Sequence, residues 1–258
     1  MSPPEEPPVV AAGAPVDAGI AEVVTQLERR LHALGAGQDQ RRAFLGTYLR
    51  MTATIGQAVA GGVFEDPGWV RRWDVAFVGH FLAAHDADVA GGDVPRPWRL
   101  AFAADPALPT LVHLLLDLNA HVNYDLPLAV LAVISDEDFE DAAVMASRHR
   151  DHERVDALIA SRVAAEGELL PASTRLRRRL LAPLDRWSSR RFLSAARRQV
   201  WANAVDLHRA RQQGADAYRT RLAELDVLAS AKIVDLLRPG PVLLRLALVG
   251  FGVRLPPA

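Results

Sequence analysis

His113, Asp117, His121 and Asp125 follow one another at steps of four within the apolar stretch PTLVHLLLDLNAHVNYDLP, which runs from Pro109 to Pro127. Residues four apart on a helix are neighbours, so each imidazole has a carboxylate one turn away. Such a carboxylate fixes the tautomer of the ring and raises its basicity, which suits a general base or a metal-bound histidine. Asn119 and Asn123 interleave with them. Polar groups this dense among leucines and valines must be bonded to each other, to neighbouring helices or to a ligand, because an amide or carboxylate taken out of water without a partner costs several kcal/mol.

The chemistry this spacing suggests is proton transfer, with His121 as the acid/base and Asp125 orienting it. Asp74 is the candidate second carboxylate: on a helical wheel it shares a face with Phe77, Val78, Phe81 and His85, although an Asp held structurally by a cap or an arginine reads the same way. Asn119 and Asn123 would bond a substrate, with Tyr124, His113 and Trp98 as further contacts. His152 and Asp156 are again four apart, on a face shared with His149. If their helix faced the first, His121, Asp125, His152 and Asp156 would complete a nitrogen and oxygen ligand set for a divalent metal such as zinc. Three readings stay open: a metal site, a metal-free catalytic or binding network, and a purely structural hydrogen-bond network.

Composition narrows the classes. The chain has 258 residues, 50% hydrophobic and 24% charged, with a formal net charge of −1. That is an ordinary globular balance, and it argues against a nucleic-acid binder, whose domains carry a basic excess. No cysteine is present, so thiolate nucleophiles, disulfides and thiolate-held metals are excluded. Lys232 is the sole lysine against 29 arginines, which points to a GC-rich genome. It lies far from the polar stretch, which argues against Schiff-base chemistry. Residues 1 to 16 lack the basic and apolar runs of a signal peptide and are expected to form a disordered tail on a cytoplasmic protein. The apolar segment 241 to 258, interrupted by Arg245, Gly250 and Gly252, is too short to span a membrane and is expected to pack on the domain. A homodimer is left open.

The elements that must position these residues read as helices. Apolar residues recur at steps of three and four from Asp17 to Leu34, and Asp39 is placed to cap a second helix ending at Gly61 and Gly62. Asp66 before Pro67 predicts the N-terminus of a third, running to about Val89. A short helix over Pro95 to Ala104 follows, then the central one, ended or kinked by Pro127. Ser135 with Asp138 predicts the start of a long helix to about Glu166. A basic region spans Pro171 to Pro183, and two further helices are expected at Arg186 to Gln212 and Asp216 to Leu237. No period-two pattern occurs, so the expected fold is all-α: one domain over residues 17 to 240, a bundle of about nine helices around the central buried helix.

The runs DPGWVRRWDVAF, PWRLAF and HLLLDLNAHVNYDLPLA resemble signature segments of the DUF5995 family, uncharacterised proteins common in actinobacteria. Its most specific part is NAHVNYDLP, and RDHERVDALI matches a further motif at Asp151 and Val155, with Asp156 where an Asn is expected. This resemblance implies a fold and a site without naming a substrate. A fainter likeness, to the zinc phospholipase C and P1 nuclease group, rests on the step from His121 to Asp125 ahead of Pro127. The histidine after the proline and the N-terminal Trp ligand of that group are missing. The resulting expectation is an enzyme acting on a small, partly apolar organic molecule, in a setting such as bacterial secondary metabolism, by His/Asp acid-base chemistry between helices. The alternatives are a metal-dependent hydrolase and a non-catalytic ligand-binding or structural protein.

Overall fold

The computed structural model describes residues 18–168, 196, 198–242, 245–246 and 250–257. The expected tail, the basic region Pro171 to Pro183 and the first part of the helix from Arg186 lie outside the described residues. Among the described residues all regular structure is helical, with no strand. In order these are α1 (Ala18–Ala33), α2 (Asp39–Ala60), α3 (Pro67–Val89), α4 (Arg96–Phe102), α5 (Thr110–Ala120), a π-helical turn (His121–Asp125), α6 (Leu126–Val133), α7 (Asp136–Glu140), α8 (Ala142–Glu168), α9 (198–213) and α10 (Ala215–Leu237). None is long and apolar enough to cross a membrane.

α3 is the organising element. Asp66 caps it by accepting a hydrogen bond from the Trp69 amide at 2.8 Å, with Pro67 in the first turn, as the sequence predicts. A second acid closes this end: Asp151 of α8, fully buried, accepts the Glu65 and Asp66 amides, one on each carboxylate oxygen at 2.8 Å. Arg148 pairs with Asp66 and sits over the Trp69 ring, and Arg150 and Arg154 reach Glu65. The RDHERVD run thus joins α8 to the start of α3. Further along, α3 packs on α1, α2 and α6. α10 covers α4, α5 and the π-helical turn from the other side.

Three expectations about boundaries need correction. The helix starting at Thr110 does not end at Pro127 but continues to Val133 by widening. Pro127 has no N–H and its ring would clash with the carbonyl of Asn123 in a regular α turn. The chain accommodates it with the five-residue spacing of the π turn, in which the Leu126 amide bonds the His121 carbonyl. The long helix after Ser135 is in fact two: Ser135 caps only the short α7, and Asp141 restarts the chain by accepting the Ala143 and Val144 amides. Gln38, not Asp39, occupies the cap position of α2.

The C-terminal segment is an extended strap over residues 250–257, beginning at Gly250 with φ of +80°. Two asparagines hold it in register. Asn123 of the π turn donates to the Phe251 carbonyl at 3.0 Å and accepts the Val253 amide at 3.1 Å. Asn203 of α9 donates to the Val253 carbonyl and accepts the Leu255 amide. Each amide side chain thus acts like a neighbouring strand. Gly252 is required by close approach, since a Cβ there would lie 2.7 Å from the Cα of Ala196.

Candidate functional site

The π turn directs His121 and Asp125 into the aromatic heart of the bundle, where they are 3% and 2% exposed. The His121 Nδ1 and the Asp125 Oδ2 are 3.1 Å apart, and the same oxygen accepts the Trp98 indole N–H at 2.9 Å. With the carboxylate ionised, Nδ1–H donates to Asp125, which leaves Nε2 as the basic nitrogen. His121 lies flat on Phe77 of α3, with ring centres 3.6 Å apart and planes within 7°. Tyr48 of α2 meets it edge-on at 4.5 Å, and Phe44, Phe81 and Trp98 complete the surround. Single π turns inside α-helices are frequent at functional sites.

One turn before Phe77, Trp73 carries a second imidazole: His152 of α8 stacks on it at 5.1 Å. α3 therefore holds two histidine rings on consecutive turns of aromatic side chains. Asp74 lies on the stretch between them, 3% exposed, and its Oδ2 has no hydrogen-bond partner. Burial pushes this carboxyl up to about 8, so it carries a proton at neutral pH. The Tyr48 hydroxyl is likewise buried without a partner. Burial raises its pKa well above the ordinary value, and the negative charges of Asp74 and then Asp125 add to that. Asp125 is itself pushed up by burial, against which the Trp98 N–H works. Thr52, one turn beyond Tyr48 and fully buried, adds another unpartnered hydroxyl, and Trp73 an unpartnered indole N–H. Native proteins leave few such atoms unpaired, so those along α2 and α3 call for an explanation.

The structure therefore brings His121, Asp125 and Trp98 into one hydrogen-bonded group, with Tyr48 against the ring. Other expected residues are engaged elsewhere. Asn123 spends both ends of its amide on the strap, and the Trp98 N–H is used on Asp125 rather than left for a substrate. His113 bonds the Asp105 carbonyl through Nε2 at 3.1 Å and so fastens the loop before α5. Tyr124 packs with Leu128, Tyr218 and Leu222 in a separate apolar cluster around Leu131, Leu207, Leu225 and Leu255. Asn119 is fully buried with neither end of its amide hydrogen-bonded. The four-residue metal set is not assembled: among the described residues no three His, Asp or Glu side chains are placed to hold an ion. The reason is visible in the packing, since His121 turns its Nδ1 to Asp125 and lies on Phe77, while His152 is directed onto Trp73 and Trp201.

Tyr48, Thr52 and Trp73 are absent from the residues singled out by sequence. A signal existed, because two hydroxyl side chains four apart interrupt the inward face of α2 between Phe44 and Ile55. Asp117 is a further buried acid, pushed up to about 7 by burial against the opposing pull of Arg41.

The sequence model described as "Family of unknown function (DUF5995)" matches residues 20–239. The chain belongs to the DUF5995 family. The matched span takes in α3, the π turn and the Asp151 clamp, and it ends before the strap. No curated protein and no solved structure matches this DUF5995 chain. The likeness to the zinc phospholipase C group is left with the one histidine-to-aspartate step.

Proposed function

We propose that this DUF5995 protein is an acid-base enzyme acting on a small, partly apolar organic molecule held among α2, α3 and the π turn. His121 exchanges the proton, Asp125 sets its tautomer, and Trp98 anchors Asp125. Asp74 and Tyr48 supply protons or hydrogen bonds from the facing wall. The observation that carries this reading is the contrast within one buried neighbourhood. The His121/Asp125 pair is held in position by Trp98, while the Tyr48 hydroxyl against the ring and one oxygen of the buried Asp74 carboxyl have no hydrogen-bond partner. A structural network would be expected to close on itself.

Asp125→Asn tests it. In the variant the asparagine oxygen can take the place of Oδ2 and accept from both the Trp98 N–H and the His121 Nδ1–H, so both hydrogen bonds survive. The tautomer is kept, but the negative charge that stabilises the imidazolium is lost. The expected outcome is a melting temperature within a few degrees of the parent, with proton-transfer activity reduced by roughly 10²-fold or more. A drop of many degrees would instead mark the pair as a packing device and remove the enzyme reading.

A further inference from the structure

Resting on that acid-base reading, we infer that Tyr48 and Asp74 together bind the oxygen of a carbonyl group, and that the substrate is a neutral carbonyl compound bearing a removable proton on the adjacent carbon. Four of the side chains with unpartnered polar atoms along α2 and α3 share one property. The Tyr48 and Thr52 hydroxyls can donate, and the Trp73 indole N–H can only donate. Asp74, held neutral by burial, donates as well. These side chains are each at most 9% exposed. Unpartnered donors select a ligand that brings an acceptor oxygen, and a cationic amine, itself only a donor, cannot satisfy the Trp73 N–H. The apolar frame of such a ligand is matched by Phe44, Phe77 and Phe81, the rings that surround His121.

The step this geometry supports balances simply. The Nε2 of His121 takes the proton from the carbon next to the carbonyl. The C–H electron pair becomes the new C=C bond, and the carbonyl π pair moves onto oxygen. The resulting enolate oxygen is held by the Tyr48 hydroxyl and the Asp74 carboxyl, donors already in place before charge develops. The imidazolium, stabilised by Asp125, then returns its proton to the same carbon or to a conjugated one, which regenerates the starting state. Neither redox change nor a second reactant is needed.

The probe is acetophenone in D2O with the full-length protein, with benzylamine as a cation of similar frame. Binding is read from the indole N–H signal of Trp73, assigned with Trp73→Phe, and chemistry from deuterium entering the acetophenone methyl group. We expect acetophenone to shift the Trp73 signal, benzylamine to leave it in place, and the methyl group to gain deuterium. Tyr48→Phe and Asp74→Asn should each slow that exchange by about 10²-fold to 10³-fold. Failure of acetophenone to bind, or equal binding of benzylamine, overturns the carbonyl assignment. Exchange that needs His121 but ignores both wall substitutions overturns the oxygen-binding pair and spares the acid-base reading. Binding that depends on Tyr48 and Asp74 with no exchange keeps the pair and overturns the acid-base reading.

Discussion

Asp151 and Asp74 are both buried, both lie against α3, and differ in almost everything else. Asp151, at the start of the helix, gives one oxygen to each of two backbone amides and pairs with Arg154. Asp74, two turns into the helix, has an oxygen that bonds nothing, and burial keeps it protonated at neutral pH. Burial alone therefore does not mark a site in this protein. What separates the two is whether the surrounding chain supplies partners. At the Asp151 end each of the three carboxylates, Asp151, Asp66 and Glu65, has an arginine partner, and the region behaves as a clamp. In the middle of α3 the chain leaves buried polar atoms unanswered, a cost that native proteins rarely carry.

The largest effect should come from breaking the clamp. Asp151→Ala leaves the Glu65 and Asp66 amides buried without an acceptor and frees Arg154, which should destabilise the protein by about 3–5 kcal/mol. A fall in melting temperature of roughly 10 °C is expected. A change of only a degree or two would erase the distinction between the two aspartates. A smaller and more local effect belongs to the strap. Asn123→Leu strands the Val253 amide and the Phe251 carbonyl, a loss of about 1–3 kcal/mol. Hydrogen exchange should quicken at Val253 while Leu255, still held by Asn203, stays protected. Equal acceleration at both would show that the strap is fastened as one unit.

Much of the fold was legible from periodicity and punctuation. The Asp66 and Pro67 start of α3 was readable because a cap needs only adjacent residues, and the all-α class followed from steps of three and four. The pairing of His121 with Asp125 was readable for the same reason: both lie on one short stretch, and a wide turn still brings the side chains together. The π turn itself was not, since Pro127 announces a disturbed hydrogen bond without saying whether the helix stops, kinks or widens. Contacts made across the bundle were also hidden. Nothing within α2 says that Tyr48 meets His121, and nothing local to Asn123 says that residues 250–257 will lie beside it. The metal set failed on the same ground, because two correctly spaced pairs on two helices need not face each other.

The central claim is that the middle of α3 holds a buried carboxyl with an unpartnered oxygen, and thermal melts of the parent and Asp74→Asn between pH 5 and 9 test it most directly. The folded pKa of about 8 lies above the ordinary value of 3.8, so between those values the native state holds a proton that the unfolded chain has released. Stability is then highest at low pH, falls as pH rises toward 8, and levels off above it. A difference of about 4 units corresponds to an upper bound on the order of 5 kcal/mol. The asparagine variant has no such proton, so its melting temperature should gain on the parent's steadily up to about pH 8 and hold that advantage beyond. Parallel curves across the range would mean that Asp74 ionises normally or has a partner, and would contradict the account.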